Sequence, residues 1–225
     1  MVTPNKPRTM GILISAVSGD EGLKNIWRKG LDLYSQIAID VFGLTGVSAN
    51  EKDANYLKKV MPDYRQKTKV FTLAVPYGAS AWRIAELMKV EVEEAQRIID
   101  DYLDSYPMLK RYMADCERAA KKTGMVRAKF GRVRHLKSAK ILFEDYGSRI
   151  SDKRAMRMKC GGAEGSELYY RFRNSMNNAK NFPIQSTAAS VANAAMIKLS
   201  KLFKKHKIEG WLALQVHDEL ICIVS

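Results

Sequence analysis

The sequence predicts an α+β fold in which helices dominate and an apolar β-hairpin closes the chain. Three observations carry that prediction. Between Pro62 and Lys122 apolar residues recur at helical spacing, interrupted at Gly78 and Pro107. From Met125 to Leu136 the pattern changes to short β-like runs around Gly131. Near the end, Trp211 to Val216 and Leu220 to Val224 are apolar runs of strand length on either side of His217-Asp218-Glu219.

The elements follow in chain order. Residues 10–18 are apolar throughout, which suits either a helix or a buried strand. Asp20 and Glu21 open a short helix, and Asp32 caps another carrying Tyr34, Ile37, Ala38 and Val41. Gly43 and the polar residues up to Asn55 read as a loop. Pro62-Asp63 starts a long helix expected to run through Arg65, Lys69 and Tyr77 to Gly78. Further helices span 79–88, 92–106 and 108–122. Residues 137–166 are basic and irregular, with Gly147, Gly161, Gly162 and Gly165, and read as a surface loop or insertion. Residues 174–203 are helical again, with an entry kink expected at Pro183.

Composition narrows the classes. The 225 residues can bury a substantial core, and no apolar run approaches a membrane span. Cys116, Cys160 and Cys222 are sparse, odd in number and without metal-ligand spacing, which fits a reducing, cytoplasmic compartment. Lys and Arg total 38 against 24 Asp and Glu, a formal net charge of +14. That surplus favours a polyanionic partner, because each phosphate contact releases condensed counterions. A basic surface kept for solubility accounts for the same count.

Four motifs carry chemistry. Arg65, Lys69, Leu73 and Tyr77 are four apart, so each step turns about 40° past a full helical turn and the four form one slowly rotating stripe. Cations at one end of such a stripe suit a triphosphate, and the aromatic beside Gly78 suits a sugar and base. Taken alone, Arg-x3-Lys is more often a solvated helix face. Gln215-Val216-His217-Asp218-Glu219-Leu220 places carboxylates on a tight turn between apolar strands, within reach of a divalent cation. Asn181-Phe182-Pro183-Ile184-Gln185 puts two amides on one helix face, suited to base edges or sugars in a minor groove, or to capping nearby loops. Gly131-Arg132-Val133-Arg134 is a Gly-centred turn with alternating arginines, suited to backbone phosphates or simply to solvent.

In this order, R-x3-K-x7-YG, G-R-x-R, N-x3-Q-x-T-A-A and Q-V-H-D-E-L resemble family A (Pol I-like) DNA polymerases. The spacers match too, except at 137–166. Ser18-Gly19-Asp20-Glu21-Gly22-Leu23 and Val41-Phe42-Gly43-Leu44 resemble the stretch after the family's first palm motif. The resemblance implies a right-hand polymerase architecture: helical fingers with a partial antiparallel palm sheet. It divides the chain into partial palm and the start of the fingers (1–44), fingers helices (45–123), basic hairpin and insertion loop (124–180), and palm helix with catalytic hairpin (181–225).

The resemblance also implies roles. Arg65 and Lys69 hold the incoming dNTP triphosphate, with Lys69 assisting the pyrophosphate leaving group; Leu73, Tyr77 and Gly78 complete the dNTP site. Asp218 ligates Mg2+ in a two-metal site, with Glu219 beside it. Arg132, Arg134, Asn181, Gln185 and His217 contact primer–template DNA. Nothing matches the D-Y-S-Q-I-E-L-R stretch that carries the family's first metal aspartate; ungapped, its place falls near Asn5. A second polypeptide carrying that motif is therefore an expected partner, and a palm cut short is expected to expose sheet edges and apolar surface. Leu73 stands where the family often has Phe or Tyr, Tyr34 where it often has His, and Pro76 interrupts the fingers helix. These departures point to a phage- or organelle-type member. The competing readings are a single-subunit RNA polymerase fragment, which shares R-x3-K-x7-YG, and a non-catalytic DNA-binding remnant. Glu219-Leu220 and the Asn181/Gln185 segment favour the DNA enzyme.

Overall fold

Apolar periodicity dictates a helical body with two small hairpins, and the computed structural model, which describes residues 6–216 and 219–224, has that form. Helices α1 (Lys6–Ser18), α2 (Glu21–Arg28) and α3 (Leu33–Phe42) come first. Then follow α4 (Leu57–Val60), α5 (Pro62–Ala74), α6 (Ala81–Met88), α7 (Val92–Ser105) and α8 (Pro107–Thr123). Strands β1 (Met125–Arg127) and β2 (Val133–His135) form an antiparallel hairpin. Beyond it lie α9 (Lys137–Tyr146), a 3-10 helix (Gly147–Ser151), α10 (Lys153–Cys160) and α11 (Gly162–Lys205). Strands β3 (Gly210–Val216) and β4 (Glu219–Val224) close the described chain as a second antiparallel hairpin. Among the described residues, no helix is long and apolar enough to cross a membrane.

The ambiguous 10–18 run is helical and packs Ile14 into the core. Helix boundaries follow their chemistry. Asp20 and Asp32 accept from Leu23 N and Ser35 N as N-caps, and Pro62 and Pro107 occupy first turns, where a missing N–H costs nothing.

Two apolar clusters hold the body. The larger gathers α1, α2, α3, α5, α6, α7 and the start of α8, and reaches Ile184 of α11. Phe71, Tyr102 and Tyr106 form an edge-to-face aromatic ladder through it, with ring centroids 5.4 and 5.6 Å apart. The Tyr106 hydroxyl donates to Asp40 at 2.6 Å, whereas the buried Tyr102 hydroxyl has no hydrogen-bond partner among the described residues. Tyr102→Phe is therefore expected to leave stability unchanged or raise it by up to about 1 kcal/mol, since the lost hydroxyl satisfied nothing. Thermal unfolding checks this; a loss of several degrees in Tm would mean that the hydroxyl is bonded.

The second cluster corrects two expectations. Residues 137–166, read as a surface loop, form α9, the 3-10 helix, α10 and the start of α11. Leu142, Ile150 and Met156 pack there on Phe172 and Met176. The glycines and charges that suggested a loop mark helix boundaries: Gly147 and Gly161 have positive φ, at the junctions before and after the 3-10 helix and α10. Gly165 lets α11 approach the backbone of Met156 and Arg157 more closely than a Cβ would permit. Nor does the helix begin near 174. Helix α11 begins at Gly162, passes through the buried Pro183 and crosses the 180/181 boundary assigned from sequence. Burial and neighbours sustain it there: the Tyr112 hydroxyl donates to Lys180 O at 2.6 Å and the Thr187 hydroxyl to Pro183 O at 2.6 Å.

After Thr187, α11 has no buried residue and presents Val191, Ile197 and Leu202 to solvent. The β3–β4 hairpin is equally bare, with Trp211 61% exposed and Leu214, Ile221 and Ile223 about half exposed. Its register pairs Gly210 with Val224 and Val216 with Glu219, with an irregularity between Leu212 and Leu214. The expected apolar surface is present on both elements.

Candidate active-site surface

The expected stripe divides where α5 ends. Pro76 cannot donate a backbone hydrogen bond, and α5 stops at Ala74. Tyr77 and Gly78 therefore sit in the following turn, where Tyr77 N donates to Ala74 O and Gly78 N to Val75 O. Helix α5 thus ends short of the expected Gly78. The turn nonetheless keeps Tyr77 beside the helix. Lys69, Leu73 and Tyr77 line one open hollow of about 490 Å³, together with Gln66, Val70, Ala74 and Leu87. The Lys69 ammonium has no carboxylate partner among the described residues, so the hollow holds an uncompensated cation.

Arg65 faces elsewhere. Its guanidinium grips Asp32 through two bonds, Nε at 2.7 Å and Nη2 at 2.9 Å, and lies 5.4 Å from the Tyr34 ring centroid. Burial drives the Asp32 carboxyl upward, but hydrogen bonds from Arg65 and Ser35 and the Arg65 charge outweigh it, leaving the group below its ordinary value. Burial pushes the Tyr34 phenol up to about 12 against the pull of Arg65, and its hydroxyl has no hydrogen-bond partner among the described residues. These groups line a separate cavity of about 80 Å³ with Tyr56, Glu51 and Lys58.

The second half of the surface comes from α11. Burial raises the Tyr77 phenol, while a hydrogen bond with the Gln185 side chain opposes that shift. The turn after α5 and the α11 amides, more than a hundred residues apart, thus meet in one place. Gly78 has a φ of +83° and lies so close to Asn177 that a Cβ would overlap its side chain; only glycine suits both demands. One turn on, Asn181 Oδ1 is buried without a partner among the described residues. The basic hairpin comes alongside, with the Arg134 guanidinium 5.9 Å from the Phe182 ring centroid, while Arg132 is exposed at its turn.

His217 and Asp218 lie outside the described residues, as does the Glu219 side chain; the Glu219 backbone begins β4. Among the described residues, no group of three His, Cys, Asp or Glu side chains could hold a metal ion. The described donors alone therefore do not make a Mg2+ site. Two neighbours escaped the sequence reading. Asp32 was legible as a helix cap, but nothing local signals a partner at Arg65, 33 residues on. Asn177 stands four residues before Asn181 on α11, a spacing that places it on the same helix face.

The model of DNA polymerase family A matches residues 12–225. The chain belongs to DNA polymerase family A. DNA polymerase I of Caldicellulosiruptor bescii and that of Bacillus caldotenax are each 30% identical to it over 209 residues, or 93% of the chain. The chain spans about a fifth of the length of these relatives, 20% in each case. Among solved structures, the polymerase domain of Pol1 from M. smegmatis, in complex with DNA primer–template and dNTP, superposes with a TM-score of 0.71 at 26% identity. That match covers 96% of this chain and 32% of the other. The family A match runs through residues 137–166, so the helical segment there lies within the matched region.

Proposed function

We propose that this chain supplies the fingers and part of the palm of a DNA-directed DNA polymerase acting in replication or repair. The observation that carries this reading is the common hollow of Lys69, Leu73 and Tyr77, tied to α11 through Tyr77 and Gln185. An unpaired ammonium at one end and an aromatic at the other match a nucleoside triphosphate in charge and in shape. The solved relative in complex with primer–template and dNTP supports the same ligands.

In this reading Lys69 contacts the triphosphate and steadies the charge that develops on pyrophosphate as the primer 3′-hydroxyl attacks the α-phosphorus. Tyr77 and Gly78 form the floor under the nascent base pair. Asn181, Gln185, Arg132, Arg134 and His217 follow the primer–template, with the arginines on phosphates. Arg65 reaches the triphosphate only by exchanging Asp32 for it, so it serves first as the link between α3 and α5. Asp218 is the proposed Mg2+ donor, with Glu219 beside it, and bound Mg2+ would offset charge on the phosphate oxygens. The exposed apolar faces of α11 and the β3–β4 hairpin support a second polypeptide carrying the first palm motif, and the whole would work in the cytoplasm with DNA and dNTPs.

One observation favours a non-catalytic DNA-binding remnant instead: the engagement of Arg65 by Asp32 leaves one free cation in the stripe. The two readings separate on nucleotide binding. With primer–template present, a fluorescent dNTP analogue is expected to bind saturably, and Lys69→Ala to weaken it about 10- to 100-fold, the loss of one charge-assisted hydrogen bond of roughly 1.5–3 kcal/mol. DNA binding without nucleotide binding would sink the polymerase reading and leave the remnant.

A further inference from the structure

The helical segment that interrupts the motif spacing carries a cationic surface with no part in the site above. Helix α10 holds Lys153, Arg154, Arg157 and Lys159 and no acidic residue. Lys153, Arg154 and Arg157 line an open hollow of about 480 Å³ with Met158 and Gly162, and no carboxylate lines it. Neither guanidinium in the hollow has a carboxylate partner among the described residues. Aromatic and thioether surfaces stand among the charges. Lys153 Nζ donates to the Tyr170 hydroxyl at 2.7 Å and lies 4.7 Å from the centre of that ring, Tyr170 is half exposed, and Met158 is 80% exposed.

The platform is anchored. Met156 of the same helix is fully buried with Ile150 against Phe172, and Gly165 brings α11 against the α10 backbone. A solvated charge run needs no such support. Cations at residues 153, 154 and 157 fall within about 6 Å along the helix axis, enough for one or two successive phosphates.

We propose that α10 and Tyr170 form an accessory binding site for single-stranded DNA. The cations would follow the backbone, and Tyr170 and Met158 would meet unpaired bases. Accessible ring and thioether surface beside the charges favours a single strand over a duplex, whose bases are stacked inside. Its source as the unpaired template strand rests on the polymerase reading above.

The test is fluorescence anisotropy of the full chain with a labelled single-stranded oligonucleotide, a blunt duplex and a primer–template, across a salt series. Lys153→Ala/Arg154→Ala/Arg157→Ala is expected to weaken single-strand binding at least about tenfold near 0.1 M salt. It should also reduce the slope of log K against log salt by about 1, the share of one or two phosphate contacts. Tyr170→Ala should weaken single-strand binding while leaving the slope in place. The triple Lys/Arg exchange, Lys153→Arg/Arg154→Lys/Arg157→Lys, should bind like wild type, and circular dichroism should show equal helicity in all variants. An unchanged slope in the triple Ala variant overturns the site and leaves the polymerase reading intact if primer–template binding persists. Equal loss on blunt duplex overturns the single-strand assignment. Single-strand binding lost in the variant, in a chain that binds no dNTP on primer–template, keeps the site and removes the polymerase reading.

Discussion

Asp32→Ala is expected to destabilise the chain by about 3–4 kcal/mol, lowering Tm by roughly 10 °C. Three contributions combine at this carboxylate. It receives both arms of the Arg65 guanidinium, with side-chain exposures of only 10% for Asp32 and 18% for Arg65. It caps α3 by accepting from Ser35 N at 3.1 Å. It also accepts from the Ser35 hydroxyl at 2.5 Å. Removing it leaves a largely buried guanidinium unpaired, which costs more than the pair itself contributes. The pH dependence follows the depressed carboxyl. Its contribution is fully present above the ordinary value of 3.8 and is lost as pH falls through the lower folded value. The gap between wild type and Asp32→Ala should therefore be widest near neutral pH and shrink in strong acid. Calorimetric Tm values at several pH values check both halves. A loss under about 3 °C at neutral pH would mean that Arg65 finds another partner, and would return it to the triphosphate role.

Asp218→Ala is expected to lower primer extension at least about a thousandfold in any assembly that contains this chain, roughly 4 kcal/mol or more of transition-state stabilisation. The proposed role puts an anionic oxygen on a divalent cation where charge develops, and alanine supplies no ligand. Asp218→Asn keeps the shape and one neutral oxygen, and should recover only a small part. Single-nucleotide incorporation rates measure the effect. Activity within tenfold of wild type would remove Asp218 from the metal site.

The parts of the fold legible in the sequence are those with local causes. Asp20, Asp32 and Pro62 announced helix starts because capping and first-turn chemistry act within four residues. The apolar runs after Trp211 announced the closing hairpin for the same reason. The misread segment, 137–166, depends on distant partners: Leu142, Ile150 and Met156 are core residues only because Phe172 and Met176 stand opposite them. Basic side chains and four glycines outweighed that sparse apolar pattern. At the candidate site, the order and spacing of the motifs gave Lys69, Leu73, Tyr77 and Gln185, which the fold brings together. Pro76 gave the helix interruption but not its consequence, a turn that still delivers Tyr77 to the hollow. The Arg65–Asp32 pair was beyond sequence reasoning, because a bidentate contact between separate helices leaves no periodic trace.

The proposed function makes this chain the nucleotide-binding part of a polymerase whose palm another polypeptide completes. Primer extension with Mg2+ and dNTPs tests it most directly, using the chain alone, a fragment carrying the family's first palm motif alone, and the two mixed. Extension is expected in the mixture only, and Asp218→Ala in this chain should abolish it. No extension in the mixture, with salt-sensitive DNA binding retained, would contradict it and leave a DNA-binding remnant.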